Sequence, residues 1–210
     1  MRKLWIGVLA VLLLASMAAM ADTIIYPIGQ ASTQGFSNGA GAGETPRGWD
    51  FVINQPITVV QLGINAGVSI PITMSLWDVT TQKLLGQTTV VSQPFAWEFA
   101  NLGTSISLTP GDTFSVIGWA DTTNSGIPWY IYNNAPPPAF NPTGVVTYLN
   151  ARFDNNIGPN DFPGFTLGAP EQYGIADIGY TLGGVPEPAT LALIGTGLGL
   201  VGVVRRRLGL

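Results

Sequence analysis

Between residues 22 and 184 apolar and polar side chains alternate with a period of two, the repeat of a strand that turns one face to a core. Trp49, Phe51 and Ile53 begin one such run, and Val60, Leu62 and Ile64 a second. Ile72, Met74 and Leu76 alternate with Thr73, Ser75 and Trp77, and Phe95, Trp97 and Phe99 with Ala96 and Glu98. Phe114, Val116 and Gly118 alternate with Ser115, Ile117 and Trp119. Val145, Thr147, Leu149, Ala151 and Phe153 alternate with Val146, Tyr148, Asn150 and Arg152, and residues 173–182 form the last run. The breaks carry turn chemistry. Thr109-Pro110-Gly111-Asp112 sets φ with Pro and supplies Gly where φ must be positive, and residues 121–126 and 133–138 read as loops. No 3.6 period is sustained in this stretch. About eight to ten short strands at such spacing predict an all-β fold, an antiparallel β-sandwich of jelly-roll-like type, with a closed barrel as the alternative.

Composition narrows the chemistry more than the fold. In 210 residues there is no Cys and no His, so disulfide staples, cysteine nucleophiles and His-based triads are excluded. The usual ligands of zinc, copper and haem are missing as well, and no cofactor is expected. Charged residues make up 10% of the chain, while Gly (27) and Pro (16) are abundant, in keeping with short strands and many turns. Between residues 22 and 184 three cationic side chains stand against eleven acidic ones, a balance of −8. Such a body repels phosphate backbones, so nucleic acid is not an expected partner.

The two ends differ from the middle. Arg2 and Lys3 precede an apolar run over residues 4–14, then small residues closing on Ala19-Met20-Ala21. That is the order of a secretory signal peptide, with cleavage by signal peptidase expected after Ala21. At the other end Val185-Pro186-Glu187-Pro188-Ala189-Thr190 precedes an apolar run over residues 191–204 and the cluster Arg205-Arg206-Arg207. The paired prolines fix an extended segment that joins a helix only at its first turn. The apolar run is at the short end for crossing ~30 Å of hydrocarbon, and the arginines hold its end on the cytoplasmic side. Gly197 to Gly202 satisfies G-x-G-x-x-G, but it follows no strand and opens no βαβ unit, so it is not a dinucleotide site.

The order Pro-Glu-Pro, Gly-rich apolar run, Arg cluster, in a chain that opens on a leader, resembles the PEP-CTERM sorting signal of Gram-negative bacteria that make exopolysaccharide. The resemblance covers about the last two dozen residues. It implies recognition by an exosortase, a membrane-embedded transpeptidase-like enzyme that cleaves near Pro-Glu-Pro. Pro186, Glu187 and Pro188 would then be the recognition residues, residues 191–204 the transmembrane helix, and Arg205, Arg206 and Arg207 the stop signal. The expected organisation is a signal peptide (1–21, helical), a β-sandwich ectodomain (22–182), a linker with the motif (183–190), a transmembrane segment (191–204) and a basic cytoplasmic tail (205–210). Residues 49–120, with Ser75-Leu76-Trp77-Asp78 and Leu108-Thr109-Pro110-Gly111-Asp112-Thr113-Phe114, also resemble a small all-β domain common in exported and PEP-CTERM proteins. The expected location is an envelope-anchored precursor, then the cell surface or extracellular space.

Candidate chemistry in the middle is sparse. Most carboxylates fall at turn positions (Asp112, Asp121, Asp154 and Asp161), where they cap backbone, whereas Asp78 and Glu98 fall in strands, Glu98 on a solvated face. The oxygen-rich residues 154–161 fail the EF-hand spacing, with Gly158 at the fifth position, and read as an Asx-turn loop. No enzyme and no metal site is expected. Trp119, Trp129, Tyr130 and Tyr132 cluster near the loop 121–126, and Trp129, Tyr130 and Tyr132 are the candidates for stacking on a sugar. The expected role is a non-catalytic structural or adhesive protein of biofilm or exopolysaccharide. The alternative is a carbohydrate-binding module acting on exopolysaccharide.

Overall fold

The computed structural model describes residues 23–28, 37–38, 45–122, 131–132, 144–168 and 176–182. Within them the chain is all-β, and every strand pairing is antiparallel. The strands are β1 (Ser37–Asn38), β2 (Arg47–Ile53), β3 (Ile57–Asn65), β4 (Pro71–Asp78), β5 (Lys83–Val91), β6 (Trp97–Leu108), β7 (Thr113–Trp119), β8 (Ile131–Tyr132), β9 (Val146–Phe153), β10 (Phe165–Leu167) and β11 (Ala176–Leu182). They form a six-stranded sheet in the order β10-β9-β2-β7-β4-β5, a three-stranded sheet β11-β3-β6 and a small pair β1-β8.

The period-two runs explain the middle of the large sheet. Trp49, Phe51 and Ile53 of β2, Ile72, Met74 and Leu76 of β4, and Phe114 and Val116 of β7 all point one way and are buried. They join Ile57, Val59, Leu62 and Ile64 of β3 and Ala176, Ile178 and Tyr180 of β11 in one hydrophobic cluster drawn from both larger sheets. The indole Nε1 of Trp49 crosses from one sheet to the other and donates to the carbonyl of Ala176 at 2.6 Å. Burying a side chain of this size stabilises the fold by roughly 3 kcal/mol. The turn after β6 is built as its residues require: Gly111 has φ +94°, and the Thr109 hydroxyl donates to Asp112 at 2.9 Å.

Two runs depart from simple alternation because each carries a bulge. In β3 the register slips between Val59 and Gln61, so Val60 leaves the core face and Ile57 and Val59 share it with Leu62 and Ile64. In β9 the slip falls at Leu149, so Tyr148 stacks on Trp49 at 5.9 Å while Leu149 is exposed. Val60 and Leu149 are therefore not the inward residues that alternation assigned. Phe95 is corrected too: it lies before β6, outside the strand. Glu98, expected on a solvated face, is half-buried.

One buried polar atom gives a stability prediction. Tyr180 is fully buried, and among the described residues its Oη has no hydrogen-bond partner. Burial, with the nearby negative charge of Asp177 adding to it, pushes its phenol up to about 12. Tyr180→Phe removes an unsatisfied hydroxyl and should stabilise the protein by about 1 kcal/mol, read in urea melts. The pH dependence follows from the same shift. The folded phenol keeps its proton where the unfolded one, which titrates at the ordinary 10.0, has lost it. Stability is thus fully present below that value and falls as pH rises toward about 12, and Tyr180→Phe should flatten this fall.

Candidate functional site

The sorting residues Pro186, Glu187, Pro188, Arg205, Arg206 and Arg207 lie outside the described residues, as do the leader (1–21), the linker (183–190) and the apolar run (191–204). Among the described residues no helix is long and apolar enough to cross a membrane. What the structure does place is the point where the body hands over to the tail. Residues 23–28 lie along the free edge of β11. Ile25 N donates to the Tyr180 carbonyl at 2.7 Å, and Tyr180 N returns a bond to the Ile25 carbonyl at 2.9 Å. The Tyr26 hydroxyl donates to Gln61 Oε1 at 2.8 Å, and its ring packs 4.2 Å from that of Phe99. A Cβ on Gly179 would come within 2.9 Å of the Tyr26 ring, so glycine there makes room for the strap. Ile28 N completes it with a bond to buried Asp177 at 3.3 Å. The antiparallel bridge of Ile25 with Tyr180 sets residues 23–28 beside β11, about one strand spacing (~4.8 Å) from the strand that leads to the tail.

The proposed stacking residues are only partly placed. Trp129 and Tyr130 lie outside the described residues. Tyr132 sits in β8 opposite Ser37, with its side chain outside the described part. Trp119 is half-buried and donates from Nε1 to the Ile157 carbonyl at 2.8 Å, so it anchors the loop 154–161 to the sheet. Within that loop Asp154 accepts from Asn155 N (2.8 Å) and Gly164 N (2.7 Å), and Asp161 accepts from Gly158 N (3.0 Å). These carboxylates cap local backbone, as Asx turns do. Asp78 behaves alike: its bond from Thr81 N, 2.9 Å, is the main cause that holds its carboxyl below the usual range. No group of three acidic side chains that could hold a metal occurs among the described residues.

The strongest polar constellation was missed by sequence reasoning. On the face of the large sheet turned away from the core, Arg152 Nε and Nη2 donate to the two carboxylate oxygens of Asp50 at 2.6 and 2.7 Å. Arg152 Nη1 donates to the Pro163 carbonyl at 2.8 Å, and Asn150 Nδ2 adds a bond to Asp50 at 3.2 Å. Phe162 covers the guanidinium at 4.5 Å and meets Trp77 edge-on at 5.6 Å. Side-chain exposure is 8% for Arg152 and 2% for Asp50, so the pair is sealed from water. This bidentate arrangement, with the bond to Pro163, holds the 154–168 segment to the sheet. The available signal was weak: Asp50 and Arg152 each stand alone between apolar residues in strand-like runs.

Comparison with known proteins bears on the tail. Residues 184–207 match the family model of the PEP-CTERM protein-sorting motif. No curated protein matches the chain. The matched stretch opens two residues after Leu182, the end of the last strand among the described residues, whose edge the 23–28 strap joins at Tyr180. Such a motif implies export, a membrane-anchored precursor and processing by an exosortase. The chain thus carries a PEP-CTERM protein-sorting motif over residues 184–207, behind an antiparallel β body.

Proposed function

We propose that the chain is an exported envelope or extracellular-matrix protein whose tail serves sorting and whose body serves a non-catalytic, structural or adhesive role in biofilm or exopolysaccharide. The body on this reading is a two-layer, jelly-roll-like β-sandwich, residues 191–204 cross the membrane in the precursor, and the processed protein resides at the cell surface or outside the cell. The observation that carries the reading is the motif match over residues 184–207. The carboxylates support it from the other side. Asp50, Asp78, Asp112, Asp154, Asp161 and Asp177 each accept hydrogen bonds from neighbours that fix turns, strands or the strap, which is structural work. A carbohydrate-binding role for the same body is the second reading, and the observation that favours it is an aromatic ring, Phe95, 58% exposed.

The expected result for producing cells is that the protein is recovered from the washed extracellular matrix without its apolar tail, and that deleting it thins or weakens that matrix. Recovery of the whole pool from the cytoplasm, with an unaltered matrix in the deletion strain, would contradict the role.

A further inference from the structure

Phe95 combines two features that the fold itself does not call for. Its φ is +59°, in the left-handed region where a Cβ is crowded, and its ring is 58% exposed. A large side chain held in such a backbone persists only where its surroundings over-determine it, and residues of this kind collect at binding sites. The surroundings here are well built. Phe95 N donates to the Ala66 carbonyl at 2.7 Å, and Pro94 bridges Ala66. The hydroxyl of fully buried Ser92 donates to the Val68 carbonyl at 2.7 Å and accepts from Ile70 N at 3.1 Å. The loop before β4 and the loop before β6 are thereby hydrogen-bonded into one tip. That tip presents Phe95 and Val91, the latter 60% exposed, with the exposed Gln93 between them.

The tip has a definite place relative to the tail. Ile57 of β3 stands opposite Leu182, and Asn65, eight steps on, stands opposite Trp97. Phe95 therefore lies at the far end of the small sheet, about 25 Å from the strand end that leads into the sorting motif. A body tethered through that motif would turn Phe95 outward.

We propose that residues 91–96 form a contact for a neutral polysaccharide, with the Phe95 ring stacked on the C–H face of a sugar and the Gln93 amide at its hydroxyl rim. This rests on the carbohydrate-binding reading of the body. Patch size selects the occupant: three exposed apolar side chains, Val91, Pro94 and Phe95, are far short of the ~800 Å² per partner of a stable protein interface. Charge selects it too. Residues 91–97 carry no charge, and a body with a balance of −8 repels both a second copy and an acidic polymer.

The experiment uses the full chain, expressed with its own processing, purified and incubated with insoluble β-glucan, xylan and mannan, and with alginate as the acidic polymer. The wild type should be retained by at least one neutral polymer and not by alginate. Phe95→Gly should lower the bound fraction by about tenfold or more, with a melting temperature unchanged or raised by about 2–4 °C because glycine relieves the backbone. Phe95→Trp should keep binding. Retention of Phe95→Gly within about twofold of wild type, preference for alginate, or no retention of wild type on any neutral polymer overturns the proposal. A Phe95-dependent dimer in sedimentation would also overturn it, assigning the tip to a second copy. Export is scored separately by fractionation, so a failure of sorting contradicts the export reading and leaves the binding result to stand or fall by itself.

Discussion

Arg152→Met should lower the stability of the folded body by about 3–5 kcal/mol, because it leaves the Asp50 carboxylate buried without its counter-charge. Asp50 is 2% exposed, and its two oxygens take both their charged bonds from Arg152, so water cannot replace what is lost. The reverse truncation, Asp50→Ala, strands the guanidinium between Phe162 and the Pro163 carbonyl and should cost a similar amount. A buried pair need not be stabilising relative to a hydrophobic one, and the double variant separates the two ideas. Asp50→Leu with Arg152→Met should recover most of the loss, since no buried charge is left unpaired. The local consequence is distinct from the global one. Arg152 ties the 154–168 segment to the sheet through Pro163, so the single variant should become open to proteolysis within that segment before the body unfolds. Urea denaturation with fixed m-values reads the first effect, and limited proteolysis the second. Single losses below about 1 kcal/mol would mean that the pair is solvated and does not hold this face together.

The parts of this molecule that could be read along the chain are those whose cause is local. The tail is one: Pro186, Glu187 and Pro188, an apolar run and three arginines are adjacent in sequence, and their order alone points to sorting. The central strands β2, β4 and β7 are another, since each has one face in the core and alternates accordingly. What could not be read depends on neighbours far away. The second half of β6 runs through Gly103, Thr104 and Ser105, polar on both faces because an edge strand is covered little, so it gave no period of two. The same holds for β5, an edge strand of the large sheet. A bulge adds one residue without any compositional sign, and Val60 and Leu149 were placed on the wrong face for that reason. Asp50 and Arg152 are separated by 102 positions, and only the pairing of β2 with β9 brings them together. Phe95 gave no sign of its backbone, since the left-handed region is ordinarily announced by glycine or asparagine.

Replacing Pro186 and Pro188 together by Ala should block processing while leaving the apolar run of residues 191–204 and Arg205-Arg206-Arg207 intact. Ala removes the two φ angles that proline fixes and restores two backbone N–H donors, so the motif loses the conformational restriction that its prolines impose. Protein that has lost its leader but keeps residues 191–210 should therefore accumulate in the membrane. The body should be unaffected, because its last strand ends at Leu182 and its N-terminal strap pairs with Tyr180, both ahead of the altered positions. β-type circular dichroism equal to that of the wild type checks this. The most direct test of the account is the intact mass of the protein in the exported and membrane fractions, wild type beside the double-proline variant. The account predicts a wild-type species that begins at Asp22 and lacks residues 191–210, and a variant that lacks the leader but keeps that tail. A wild type that retains residues 191–210 outside the cell, or a variant processed like the wild type, would contradict it.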